Sequence, residues 1–140
     1  MTGIDLTGAV ALVTGGGSGI GEACATVLAA RGANVMVADL DERAAPRVAD
    51  EIGDAAAAVT ADVSDPGSVD AMIAATVDQL GGLDVAVNNA GIGEFGKRLH
   101  ETDDATWANV LDVNVTGVFR MTRAVIPQML KQGRGSIINI

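Results

Sequence analysis

Eight residues, Thr14-Gly15-Gly16-Gly17-Ser18-Gly19-Ile20-Gly21, constrain this chain more than any other stretch. They follow a continuous apolar run, Ala9 to Val13, and open a segment whose apolar residues fall at helical spacing: Ile20, Ala23, Cys24, Val27 and Leu28. A run that is apolar throughout suits a strand buried on both faces. The spacing predicts a helix with one buried face. Strand, glycine turn and helix together let the backbone approach a phosphate closely, with the first N–H groups of the helix directed at it. The spacing is Gly15-x-x-x-Gly19-x-Gly21, which is not G-x-G-x-x-G. Nor is it a nucleotide P-loop, because Glu22 stands where that motif needs lysine.

The same alternation continues along the chain. Val35 to Ala38 reads as a second strand ending at Asp39, and residues 41–52 as a more exposed helix. Ala57 to Thr60 reads as a weaker third strand. Ser64 or Asp65 can cap the next helix, Pro66 suits its first turn, and Gly81-Gly82 ends it. Val85 to Val87 is a fourth strand. A long helical pattern over 103–131 follows, with Pro127 expected to kink it, and Ser136 to Ile140 starts a fifth strand. Strands alternating with helices predict an α/β fold with a parallel sheet. Right-handed crossovers then give a doubly wound, Rossmann-type sheet of order 3-2-1-4-5, broken off after its fifth strand. Ligands bind such sheets where the strand order reverses. The glycine turn and Asn88-Asn89-Ala90-Gly91 both fall at that point.

Composition removes other classes. The chain has 140 residues, one cysteine and one histidine, against a disulfide framework or a multi-cysteine metal site. The mean hydropathy of +0.33 is too high for a disordered chain. No apolar run reaches the roughly 18–20 residues of a membrane span. Met1 to Gly8 carries Asp5 and no basic residue, unlike a secretion signal, so the cytoplasm is the expected compartment. The formal net charge is −9, which disfavours a nucleic-acid or anionic-membrane partner. The whole chain, 1–140, reads as one dinucleotide-binding domain.

Within that frame the candidate ligand residues can be named. Gly15, Gly17, Ser18, Gly19, Ile20 and Gly21 form the phosphate turn. Asp39, 18 residues past Gly21 and followed by Leu40, is placed to accept from the adenosine ribose hydroxyls. Its charge opposes a 2′-phosphate and so favours NAD over NADP. Asp62-Val63 follows the third strand, where a carboxylate and backbone can meet an adenine edge. Asn89, Ala90 and Gly91 combine an amide with residues small enough for close approach. Asn114 lies on the apolar stripe of the long helix and reads as a buried amide that needs partners.

Together these residues resemble the short-chain dehydrogenase/reductase family, from Gly8 to Ile140. Thr14 through Gly21 is similar to that family's T-G-x-x-x-G-x-G turn, Asp62-Val63 to its adenine pair, and Asn88 to Gly91 to its N-N-A-G motif. The resemblance places Asn114 in the catalytic set, holding a water in a proton relay. It implies NAD(H) as cofactor and hydride transfer to or from a small alcohol or ketone. It also implies a catalytic serine just beyond Ile140 and a Tyr-x-x-x-Lys motif further on. The sequence contains no tyrosine, and Lys97 and Lys131 match neither role.

Two readings follow. One is the cofactor-binding half of an NAD-dependent oxidoreductase, inactive by itself. The other is a non-catalytic dinucleotide-binding or oligomerising module. An unpaired fifth strand and an exposed apolar face predict a homo-oligomer.

Overall fold

The computed structural model describes residues 4–93 and 96–140. Five parallel strands form one sheet of order β3-β2-β1-β4-β5. They are β1 (Val10–Thr14), β2 (Asn34–Asp39), β3 (Ala56–Thr60), β4 (Val85–Asn88) and β5 (Ser136–Asn139). The helices between them are α1 (Gly19–Ala30), α2 (Ala44–Ile52), α3 (Pro66–Leu80), α4 (Asp104–Leu111) and α5 (Gly117–Gln132). β1 is the centre, with Val13 in register with Val37 of β2 and with Val87 of β4.

The side-chain alternation of β1 divides the core. Ala11 and Val13 face α1 and α2, where they join Val35, Val37, Ala25, Ala45 and Val48. Leu12 faces α3 and α5, with Met36, Met72, Met121 and Val125. All of these are essentially inaccessible to solvent. Burying each of the larger side chains contributes about 1.5–3 kcal/mol. The apolar run is therefore apolar because both faces of β1 are covered.

Local chemistry sets the helix ends. Asp65 caps α3 by accepting from the Gly67 and Ser68 N–H groups, with Pro66 in the first turn and Gly81 at the far end in a left-handed conformation. α2 starts at Ala44 rather than near 41. The Asp41 carboxylate accepts from the Arg43 and Ala44 N–H groups instead, and these bonds hold its carboxyl below the usual carboxylate value.

Two sequence expectations need correction. The α1 stripe is rotated: Ile20 and Val27 are exposed, and the buried residues are Gly21 and Ala25. The single helix expected over 103–131 is two α-helices joined by a wider π turn, Asp112–Thr116. Pro127 sits inside α5 without ending it. From α4 through the π turn into α5, Trp107, Leu111, Val115 and Phe119 follow one another at four-residue steps and are all exposed. A plain α-helix would let that spacing drift round the axis. The π turn takes up much of the drift and keeps them on one side.

Candidate functional site

A cleft of about 670 Å³ opens at the C-terminal ends of β1, β2 and β4. That volume lies within the range typical of small-molecule sites. One wall is the glycine turn, represented by Gly15, Ser18, Gly19 and Ile20. The floor is Asp39, Leu40, Asp62 and Val63, and the far wall is Asn89, Ala90, Gly91 and Ile92.

The turn is shaped by close approach. Gly15 and Gly19 have φ of 61° and 54°, the left-handed region where glycine is favoured. A Cβ on Gly21 would collide with the Gly15 carbonyl oxygen and lie 2.5 Å from Asn89 Nδ2. Gly21 thus lets α1 start directly against the turn. Ser18 is the N-cap residue of α1, yet its side chain makes no capping hydrogen bond. The first turn of α1 therefore presents backbone N–H groups and the positive end of a twelve-residue helix to the cleft.

Asp39 is already employed. Its Oδ2 accepts from the Gly17 N–H at 2.9 Å and its Oδ1 from the Asp41 N–H at 3.0 Å. A carboxylate has about four acceptor positions, so capacity remains for two hydroxyl groups.

Thr14 ties the two walls together. Its hydroxyl donates to the Val87 carbonyl at 3.3 Å and accepts from the Asn89 and Ala90 N–H groups, both at 3.1 Å. The Asn89 side chain returns the contact, its Nδ2 donating to the Thr14 and Gly15 carbonyls at 3.0 and 3.1 Å. Asn88 points away from this cleft wall: its Nδ2 donates to Asn139 Oδ1 at 2.8 Å and Thr122 Oγ1 at 3.4 Å. Its Oδ1 is buried with no hydrogen-bond partner among the described residues.

Asp62 Oδ1 accepts from the Ser64 N–H and hydroxyl at 2.8 and 2.6 Å. Val63 lines the cleft and is also core, packed so tightly on α5 that a Cβ at Gly117 would lie 2.9 Å from its Cγ2.

Asn114 is not the buried amide expected. It is exposed, in the π turn, and pairs with the backbone of Ile92: Oδ1 accepts from the N–H and Nδ2 donates to the carbonyl, each at 2.8 Å. The wider turn carries the amide out of the core stripe and over the segment that leaves β4.

Eleven of the cofactor-binding residues expected from sequence line this one cleft. Gly17 and Gly21 lie behind it and shape the turn, and Asn114 touches it through Ile92. Sequence reasoning missed Thr14 as a clasp, Ile92 as the partner of Asn114, and Arg47, whose Nη2 donates to the Gly17 carbonyl at 2.9 Å. The first of these was within reach, since a threonine directly before the glycines has a hydroxyl to satisfy. The other two depend on tertiary approach. The donor set fits a dinucleotide: open helix N–H groups for phosphates, a carboxylate for ribose and a small-residue wall for a flat ring.

Residues 9–140 match the short chain dehydrogenase family. The chain belongs to that family. Among its relatives, 3-oxoacyl-(acyl-carrier-protein) reductase FabG of Vibrio cholerae is 39% identical over 137 residues, 98% of this chain and 56% of that protein. A 3-alpha-(or 20-beta)-hydroxysteroid dehydrogenase of Mycobacterium tuberculosis is 44% identical over 135 residues, 96% of this chain and 52% of that one. The crystal structure of a 3-ketoacyl-(acyl-carrier-protein) reductase from Brucella melitensis complexed with NADH superposes with a TM-score of 0.92 at 43% identity. It covers 96% of this chain and 57% of that one. This short-chain dehydrogenase chain therefore spans about half the length of the curated relatives it matches. Among its described residues no helix is long and apolar enough to cross a membrane.

Proposed function

We propose that this chain carries the NAD(H)-binding part of a short-chain oxidoreductase that acts on a carbonyl/alcohol pair. The observation that carries the reading is the cleft itself. An uncapped helix start at Gly19 and the Asp39 carboxylate open on one space, and a relative of 43% identity was crystallised with NADH. When bound, NAD(H) supplies or accepts the hydride.

The chain's own residues then have separable tasks. The first N–H groups of α1, exposed by Ser18, Gly19 and Ile20, receive the pyrophosphate. Asp39 accepts from the adenosine ribose hydroxyls, with Leu40 beside it, and repels a 2′-phosphate. Asp62 and Val63 border the adenine, while Asn89, Ala90 and Gly91 border the nicotinamide half. Asn114 fixes the Ile92 segment and retains one N–H and one lone pair with which to hold a water, as a proton relay requires. The relatives, each named as a reductase or dehydrogenase, weigh against a non-catalytic module.

Calorimetric titration of the protein with NADH and NADPH tests the reading. NADH is expected to bind at least tenfold more tightly, and Asp39→Ala to narrow the gap. Equal affinities would remove Asp39 from its role, and no binding of either would overturn the reading.

Self-association belongs to the same proposal, with a second copy as the partner. The exposed row from Trp107 to Phe119 starts beside Asp103 and Asp104 and continues toward Arg123 and Lys131. An antiparallel copy sets the acidic end of one row against the basic end of the other, as a twofold interface requires. Sedimentation showing a monomer at high concentration would refute it.

A further inference from the structure

The Gly17 peptide is gripped from both sides. Its N–H donates to Asp39 Oδ2 at 2.9 Å, and its carbonyl accepts from Arg47 Nη2 at 2.9 Å. Arg47 belongs to α2, thirty residues further along the chain. Its guanidinium also pairs with Glu22 Oε2 at 2.9 Å, in α1, and with Glu51 Oε1 at 2.9 Å, one turn along its own helix. The start of α2 lies hard against the same peptide: a Cβ on Gly17 would be 2.6 Å from Ala44 Cβ and 2.8 Å from Asp39 Oδ2.

This arrangement answers a difficulty at the site. Glu22 puts a negative charge one turn from the helix start where an anion would sit, and like charges there disfavour binding. Arg47 neutralises that carboxylate and draws it back toward α2. The same fork reaches the Gly17 carbonyl, so a single planar group fixes the turn, α1 and α2 relative to one another. Asp39 completes the hold from the ribose side, which means that its carboxylate both shapes the turn and faces the cleft.

We propose that Arg47 is a positioning residue for the dinucleotide. It holds the Gly17 peptide and shields the phosphate end of the cleft from Glu22, without touching the ligand itself. The proposal rests on the NAD(H) reading above. Arg47 is about half exposed, so water competes for its bonds and the effect is expected to be moderate.

Two measurements on the protein separate the proposals: amide hydrogen exchange without ligand, and NADH affinity by fluorescence titration. Arg47→Met is expected to speed exchange at the Gly17 amide, the one N–H of the turn that Asp39 holds, and to weaken NADH about fivefold, the scale of one hydrogen bond open to water. Arg47→Lys should recover part of both, because an ammonium reaches one of the acceptors but not all three. Glu51→Gln, which removes an Arg47 partner remote from Gly17, should leave both unchanged. Should Arg47→Met fail to fold, Arg47→Gln carries the same expectation. Wild-type exchange and wild-type affinity in the Met variant would overturn the proposal. So would equal changes in Glu51→Gln, which would make Arg47 an ordinary surface ion pair. A wild-type protein that binds no NADH overturns the cofactor reading, and the exchange data still decide whether Arg47 holds the turn.

Discussion

Asn114 and Ile92 pair as two strands would, with one side-chain amide matching both polar groups of one backbone residue at 2.8 Å. The contact spans 22 residues and joins the π turn to the segment leaving β4. Asn114→Ala removes both bonds. Because the pair is exposed, water replaces them, and the expected loss of stability is only about 0.5–1.5 kcal/mol. The larger effect should be local: hydrogen exchange at the Ile92 amide is expected to rise while the strand amides stay protected. Asn114→Asp keeps the acceptor, loses the donor and should fall between.

Thr14 offers a sharper test. Its hydroxyl serves Val87, Asn89 and Ala90 at once, and the residue is buried. Thr14→Val keeps the shape but strands two N–H groups. A loss of about 1–3 kcal/mol is expected in urea unfolding, with NADH affinity falling alongside it. Thr14→Ser retains the oxygen and should lose far less.

Gly21 and Gly67 predict opposite outcomes for one substitution. At Gly21 a methyl group meets the Gly15 carbonyl and the Asn89 amide, so Gly21→Ala should cost about 3 kcal/mol and displace the turn. At Gly67 the nearest atoms are the Asp65 carboxylate oxygens, at 3.6 and 3.9 Å. Gly67→Ala should leave stability unchanged or raise it by up to about 1 kcal/mol. Thermal unfolding of the two variants compares them directly.

Asp84 makes part of the stability depend on pH. Burial alone would raise its carboxyl. Hydrogen bonds from Arg134 and from the Val10 N–H, with the Arg134 charge, outweigh that and hold it below the ordinary 3.8. A carboxyl lowered in the folded state adds stability above its unfolded value, and that stability is lost as pH falls through the folded value. Urea midpoints should therefore drop below about pH 4 in the wild type, and less steeply in Asp84→Asn. Parallel acid limbs would remove Asp84 from the account.

How far the sequence could be read depended on where each signal comes from. Strand order was legible because buried parallel strands leave continuous apolar runs, such as Ala11 to Val13, and crossover handedness does the rest. The cleft-lining positions were legible because turn glycines and the acid after β2 sit at fixed offsets from those strands. The exposed side of α1 was misread, since Ile20 and Val27 fit a helical stripe but the entry from the glycine turn sets which side meets the sheet. The π turn was invisible because one added residue leaves helical spacing nearly intact on either side. The bonds that Asp39 and Arg47 make to Gly17 join β2 and α2 to the turn, and no local pattern records them.

The Thr14 clasp has a consequence for how the chain acquires its cleft. Thr14 and Asn89 are 75 residues apart, so closing their contact carries a large loop entropy and belongs to slow, non-local folding. A nascent chain that has not yet delivered Asn89 from the ribosome has its glycine turn but only one wall. The complete cleft thus arrives with the pairing of β1 and β4, and anything that delays that pairing delays the second wall with it.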